Sequence, residues 1–409
     1  GEGMRQIRQG QRPALPDLLL IPRNAGHLAD RLAEMRGAAM KVSQLLSMEA
    51  GEFLPREFSE VLQRLRDAAH PMPLIQLKPV LDAAWGPDWE KRFSHFSYQP
   101  VAAASIGQVH EAITLDGQRL AVKIQYPGIR DSIDSDVNNV ASLLKLFHLI
   151  PDTIDFAPLL AEAQQQLHQE ADYAREAEWL TRFAARLDGH PDFEVPTVVA
   201  ALTTPQVLAM RYLEGRPIED LEHADAAERN RVATALFALS LREVFDWGLV
   251  QTDPNFANFR YAPDGRIQLL DFGAARLYPP ARRAAFRALV KAGVEGAPVA
   301  IEQAAIRVGY LDRADPAAYR AGVVDLIRTA FEPARSGEEY DFGRSDLARR
   351  ASAQVLDLRF KQRFNRLPPP DILFLHRKLG GLYLLFKRLR AILPVPTMMT
   401  RFMTACADA

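Results

Sequence analysis

The chain has 409 residues, 48% hydrophobic and 25% charged, a composition that predicts a globular protein of two or three structural units. Its net charge of −1 lacks the positive excess of nucleic-acid-binding domains, so no nucleic-acid partner is expected. A lone cysteine, Cys406, excludes an internal disulfide and fits a reducing compartment, and no apolar run reaches the ~20 residues that cross a bilayer.

Residues 1–23, rich in Pro, Arg and Gln, predict an extended lead-in, and Gly1-Glu2-Gly3-Met4-Arg5 lacks the apolar stretch of a secretory signal. From Asn24 to Gln63, residues Leu28, Leu32, Met35, Ala39, Val42, Leu45 and Leu46 recur near the helical period, with Gly51 and Pro55 as interruptions. Helix resumes over Arg56–Arg66, stops before Pro71-Met72-Pro73, and returns over Leu74–Trp85, giving an all-helical unit over 24–92. Strand composition follows at Phe96–Ala104, Gly107–Thr114 and Arg119–Tyr126, with Asp116-Gly117 as a hairpin turn. A helix over Ile129–Leu149 and a long one over Pro158–Arg186 precede two more strands, Phe193–Val199 and Pro205–Tyr212. Residues 93–213 therefore read as a small five-stranded antiparallel lobe, and Leu213-Glu214-Gly215-Arg216-Pro217 as a turn and candidate hinge. The remainder, 214–409, is predicted helical except at Arg266–Leu270, which leads into Asp271. Within it Ile372–Leu393 is amphipathic, with Leu375, Leu379, Leu382, Leu385, Phe386 and Leu389 as a stripe beside Arg377, Lys378, Lys387, Arg388 and Arg390. Such a helix can lie on anionic lipid, but it more often packs into a lobe, which is the reading preferred here.

The chemistry concentrates in Val250-Gln251-Thr252-Asp253-Pro254-Asn255-Phe256-Ala257-Asn258 and, thirteen residues beyond Asn258, Asp271-Phe272-Gly273. Two carboxylates and an amide at these intervals can hold Mg²⁺ against a nucleoside triphosphate, and the order matches the catalytic loop and metal-binding motif of protein kinases. Asp271 follows the strand-like Ile267-Gln268-Leu269-Leu270, whereas a second tripeptide, Asp341-Phe342-Gly343, lies in a polar loop and is assigned no chemistry. Lys123, in Leu120-Ala121-Val122-Lys123-Ile124, has the setting of the kinase strand lysine that contacts α/β phosphates. Its acidic partner must come from the long helix, where Glu170, Asp172 and Glu176 are the candidates. Asp172 and Glu176, four apart, would share a face that excludes Glu170. Where kinases carry a glycine-rich loop the chain has Ala102-Ala103-Ala104-Ser105, which reads equally as a stiffer cover for a nucleotide or as a small-residue packing site. Lys41 and Gln44 share one face of an otherwise apolar helix, where a lysine needs a partner or must snorkel.

These residues occur in the order of the UbiB/AarF (ADCK-type) atypical kinases. The match runs from about residue 30 to 395 and rests on Lys41-Val42-Ser43-Gln44, Ala102–Ser105, Ala121-Val122-Lys123-Ile124, Glu170-Ala171-Asp172, Gln251-Thr252-Asp253-Pro254-Asn255 and Asp271-Phe272-Gly273. The Gln-Thr-Asp-Pro-Asn wording is similar to the branch of mitochondrial coenzyme Q proteins and their bacterial relatives. The resemblance implies an α+β, bilobal protein-kinase-like fold with the N-terminal helical extension packed over the active site. It implies that Lys41 and Gln44 face the nucleotide pocket, with Lys41 on the Glu170–Asp172 motif, and that Lys123 pairs with Glu176. It further implies Asp253 as catalytic acid, Asn258 and Asp271 as Mg²⁺ ligands, and ATP or ADP as the nucleotide. Its partners would be a membrane lipid surface and ubiquinone-biosynthesis enzymes or isoprenoid and phenolic precursors, in a cytoplasmic, peripherally membrane-associated protein of bacterial origin. Ser43 departs from the family glycine, and Gln251-Thr252 replaces the kinase His-Arg. Two other readings share the pocket: a nucleotide-binding scaffold without turnover, and a small-molecule kinase, against which the helical extension argues.

Overall fold

The computed structural model describes residues 72–104, 106–146, 157–360 and 368–405. The predicted lead-in, the helices before residue 72, Lys41, Ser43, Gln44, Ser105 and Cys406 lie outside the described residues. The described chain forms two compact units: residues 72–182 with Pro196–Tyr212, and Phe183–Val195 with residues 213–405.

In the first unit, helix α1 (Leu74–Trp85) begins after Pro73 and occupies the predicted range. Its buried face, Leu77, Val80, Leu81 and Trp85, packs with Leu120, Val122 and Ile124. Trp85 Nε1 donates to the Leu202 carbonyl at 2.9 Å, and Trp89 is fully buried with its ring 4.9 Å from that of Phe96. Strands β1 (Phe93–Ala104), β2 (Gly107–Thr114) and β3 (Arg119–Gln125) follow, with the expected hairpin at Asp116-Gly117, where Gly117 has φ 83°. On β3, Leu120, Val122 and Ile124 belong to the α1 core, so strand alternation turns Lys123 and Gln125 to the other face.

Two expectations are corrected after α2 (Ile129–Leu146). The single long helix is two, α3 (Ala157–Glu170) and α4 (Tyr173–Arg186), broken at Ala171-Asp172. The Ala171 carbonyl accepts from Gln125 Nε2 at 2.7 Å, and Asp172 Oδ1 accepts from the Ala174 and Arg175 N–H groups at 3.1 and 3.4 Å. A short carboxylate that takes backbone N–H groups competes with the helix and starts a new one. Asp172 is therefore a cap rather than a face-mate of Glu176. The predicted five-stranded lobe is also a four-stranded antiparallel sheet, β1-β2-β3-β5, with β5 at Val207–Arg211. Of Phe193–Val199, only β4 (Phe193–Glu194) is a strand, and it pairs in the second unit; Val198 makes an isolated bridge to Met210. Pro196 explains the interruption, since it brings no N–H to a ladder.

His110 on β2 is fully buried, stacked on Phe96, with Nδ1 2.8 Å from the Ser97 carbonyl and Nε2 2.8 Å from Gln108 Nε2. Nδ1–H donates to the carbonyl, so Nε2 accepts from the amide and the ring is neutral. Burial pushes its pKa down from the ordinary 6.5, against the pull of the Ser97 carbonyl. With the folded pKa depressed, stability is whole above the unfolded value and is lost as pH falls through the folded one, by at most about 1.4 kcal/mol per pH unit. Urea midpoints at about pH 7.5 and about pH 5.5 are expected to differ more for the wild type than for His110→Gln.

The second unit pairs β4 with β9 (Ile267–Leu269) in the order β4-β9-β8-β6, where β6 is Arg216–Pro217 and β8 is Phe259–Tyr261. Helix α5 (Ala226–Leu241), capped by Asp225, continues as a π-helical turn over Arg242–Trp247 and ends at Gly248, φ 60°. Strand β7 (Leu249–Gln251) pairs antiparallel with β10 (Ala275–Leu277). The large half is thus less purely helical than predicted: β7, β8 and β10 frame the motifs. Helices α6 (Pro280–Glu295), α7 (Pro298–Val308) and α8 (Ala317–Ala330) share one core with Val250, Ile372 and Leu375. After α9 (Glu332–Arg335) and β11 (Tyr340–Asp341) come α10 (Leu347–Phe360), α11 (Pro370–Arg388), β12 (Ile392–Leu393) and α12 (Val395–Ala405). The second Asp-Phe-Gly is thus on a strand edge, not in a polar loop: β11 pairs with β12, and Phe342 is buried against Tyr340, Tyr383 and Phe386.

Candidate active site

In the first unit, Lys123 Nζ lies 2.9 Å from both carboxylate oxygens of Glu176 and 5.0 Å from the centroid of Tyr173. The two side chains are 10% and 1% exposed, so the pair is fixed away from water. Glu176 sits in the first turn of α4, where the helix dipole favours a carboxylate. The break before α4 is what brings this turn to β3. Glu170 ends α3 and accepts from Gln166 Nε2 at 3.1 Å. Ala102, Ala103 and Ala104 are strand residues to the hairpin tip, paired with Val109, Gln108 and Gly107. Gly107 is obligatory there, since a Cβ would lie 2.2 Å from the Ile124 carbonyl oxygen.

In the second unit, β7 pairs with β10 and β8 with β9, so the segment carrying Asp253 and Asn258 runs beside the one carrying Asp271. Side chains sew the two together. Gln251 Nε2 donates to the carbonyls of Asp253 and Asp271 at 2.7 and 3.2 Å, and Thr252 Oγ1 to that of Ala274 at 2.7 Å. The Leu270 N–H reaches the Asn258 carbonyl at 3.0 Å. Asn258 Nδ2 donates to Asp253 Oδ2 at 3.0 Å and to the Asp253 carbonyl at 3.4 Å, so Oδ1 is the acceptor end of this amide. The Gly273 N–H holds Asp271 Oδ1 at 2.9 Å. Among the described residues no group of three or more His, Cys, Asp or Glu could hold a metal. One amide oxygen and one carboxylate fit a hard cation whose shell is completed by phosphate oxygens and water, as Mg²⁺ prefers.

Three residues that the sequence reading placed elsewhere or overlooked support this loop. Arg377, read as a flank of the amphipathic stripe, is 8% exposed and bonds Asp253 Oδ1. Lys378 is buried, bonds Glu243 in the π-helical turn, and donates to the Gln251 carbonyl at 2.9 Å. Glu243 in turn accepts from the Gln251 N–H at 3.1 Å. Burial pushes the Glu243 carboxyl above its ordinary value, against the pull of the Lys378 ammonium and the Gln251 N–H. A buried ion pair thus satisfies both backbone groups of the residue that opens the Asp253 loop. As expected, the amphipathic helix packs into its lobe: Ile372, Leu373, Phe374, Leu375, Leu382, Leu385 and Phe386 are buried, and only Leu379 and Leu384 are exposed large hydrophobics on α11.

The model of the ABC1 atypical kinase-like domain matches residues 64–304. The chain is 36% identical over 396 residues to the mitochondrial atypical kinase COQ8 of Saccharomyces cerevisiae, covering 95% of this chain and 78% of that protein. It is also 36% identical to the mitochondrial atypical kinase COQ8B of Rattus norvegicus, over 91% of this chain and 70% of that one. Among solved structures, the Rv3197–erythromycin complex from Mycobacterium tuberculosis aligns with a TM-score of 0.63 at 28% identity, over 94% of this chain and 96% of that one.

Proposed function

The chain belongs to the ABC1 atypical kinase family, with the kinase-like fold of a sheet lobe and a helical lobe, and from that premise we propose an ATP-binding, Mg²⁺-dependent kinase or ATPase that supports ubiquinone biosynthesis. The observation that carries the reading is the sewing of the Asp253–Asn258 loop to the Asp271 loop, which sets an amide and a carboxylate, both hard oxygen ligands, on two segments bonded to each other. Lys123, fixed by Glu176, holds the α/β phosphates, and Asp253 orients the acceptor hydroxyl or water. The γ-phosphoryl bond to ADP breaks as the bond to the acceptor oxygen forms, and the acceptor's proton passes to Asp253 or to the departing phosphate oxygens. Bound Mg²⁺ would neutralise the phosphate charge that builds up in this step. The chain's own residues contribute orientation and electrostatics rather than covalent chemistry.

The family resemblance supports work at a membrane surface on or with isoprenoid or phenolic precursors, as a peripheral protein. Among the described residues no helix is long and apolar enough to cross a membrane. A second reading, a nucleotide-binding scaffold that presents such precursors to partner enzymes, is favoured by one observation: both Asp253 carboxylate oxygens are engaged, by Arg377 and by Asn258. Phosphate release separates the two. Mg²⁺ with ATP or ADP is expected to raise the melting temperature, by the equivalent of about 2.7 kcal/mol at a hundredfold excess over Kd. Phosphate release from ATP is expected to rise on adding anionic liposomes with a phenolic quinone precursor. Nucleotide stabilisation without any release would establish the scaffold, and no stabilisation by either nucleotide would end both readings.

A further inference from the structure

Gly380 and Gly381 stand together in the middle of the nineteen-residue helix α11. A glycine inside a helix lowers stability relative to alanine because it gives up the most backbone freedom on folding. The surroundings of the two differ sharply. A Cβ on Gly380 would meet nothing within 4 Å. One on Gly381 would lie 2.1 Å from Pro254 Cβ, 2.6 Å from its Cγ and 3.4 Å from its Cα. A proline ring is tied to the backbone and cannot swing aside, so the helix and the loop would have to part. Pro254 directly follows Asp253. Arg377 and Lys378, one turn before Gly381 on the same face, bond the Asp253 carboxylate and the Gln251 carbonyl. Helix α11 therefore touches the loop at three places, Gln251, Asp253 and Pro254, and the glycine sets how near it comes.

We propose that α11 positions Asp253 for phosphoryl transfer, with Gly381 and Arg377 as its positioning residues; this rests on the role given to Asp253 above. Gly381 fixes the height of the loop above the helix, and Arg377 fixes the direction of the carboxylate. Because Asn258 hangs from Asp253 Oδ2, a displaced loop also misplaces a metal donor.

The matched pair Gly380→Ala and Gly381→Ala tests this in the full chain. Gly380→Ala is expected to melt at or above the wild-type temperature and to release phosphate at the wild-type rate. Gly381→Ala is expected to stay folded and lose about 10²-fold in kcat, the scale of an ångström's misplacement, with KM for ATP changed less than about twofold. Pro254→Gly, which removes the clashing ring, is expected to restore part of that loss when combined with Gly381→Ala. A Gly381→Ala variant with wild-type kcat would overturn the proposal. So would a loss of kcat that only tracks the folded fraction. Should Gly381→Ala fail to fold, Arg377→Gln decides by the same split of kcat against KM: reduced kcat at constant KM supports, unchanged kcat overturns. If the wild type binds nucleotide without hydrolysing it, the catalytic reading falls on its own. The positioning claim is then read from the Mg²⁺-dependent part of the thermal shift, which Gly381→Ala should lose and Gly380→Ala should keep.

Discussion

Asp271→Asn is expected to abolish Mg²⁺-dependent nucleotide turnover, by at least about 10²-fold in kcat, while leaving the fold intact. The amide has nearly the volume of the carboxylate and keeps an oxygen for the Gly273 N–H, now received at 2.9 Å, so the packing of the loop is undisturbed. What changes is charge. A divalent ion held by one amide oxygen and one carboxylate loses its only anionic protein donor among the two proposed ligands, and the new NH₂ group is repelled by a cation. The Lys123–Glu176 pair, 2.9 Å apart in the other unit, keeps both of its own residues in this variant. Nucleotide binding without Mg²⁺ should therefore survive, as a thermal shift in chelator. Phosphate release followed across a Mg²⁺ titration gives the answer. Turnover at the wild-type rate would remove Asp271 from the metal's ligands, and loss of the chelator-resistant shift would mean that the substitution had damaged more than the metal.

The motifs were legible because their residues are close in the chain and their spacing carries the geometry. Asp253, Asn258 and Asp271 fall within eighteen positions, and the strands around them are only three residues long, so the two loops can hardly avoid each other. That Lys123 projects from the face of β3 opposite to Leu120, Val122 and Ile124 was legible from strand alternation. The break between α3 and α4 was not, because helical periodicity runs straight through Ala171-Asp172 and the groups that compete with it, Gln125 and Pro205, are distant in sequence. Pro196 is a local signal against a full strand over Phe193–Val199, since a proline brings no N–H to a ladder. Lys378 was misplaced for a different reason. It stands three residues after Leu375 and four before Leu382, on the apolar stripe rather than beside it, which periodicity could have told. Its acid, Glu243, lies 135 residues away, and no local pattern could have named it.

That buried pair carries the largest expected effect on stability. Glu243→Met keeps most of the side-chain volume but leaves the Lys378 ammonium in a site where both partners are almost wholly shielded from water. Removing one member of such a pair typically costs about 3–5 kcal/mol, because the survivor's charge stays buried. Chemical unfolding followed by circular dichroism should show a loss of this size. Lys378→Met leaves the other member, and here the sign depends on pH. The stranded carboxyl, already pushed up by burial from its ordinary 4.5, is raised further once the ammonium is gone. A folded pKa above the unfolded one means stability that is full below about 4.5 and lost as pH rises through the folded value. Lys378→Met should therefore fall progressively behind the wild type as pH rises above about 4.5, by up to about 1.4 kcal/mol per unit. The double variant replaces the pair by apolar groups and should be more stable than Glu243→Met alone, since no buried charge remains. It should not reach the wild type. The N–H and C=O of Gln251 lose their partners in it, at about 1–3 kcal/mol for each group left unsatisfied, and the loop that holds Asp253 is freed at its first residue. Stability recovered without turnover is the expected signature of a pair kept for the position of the loop, and a double variant with wild-type phosphate release would show that the pair serves folding alone.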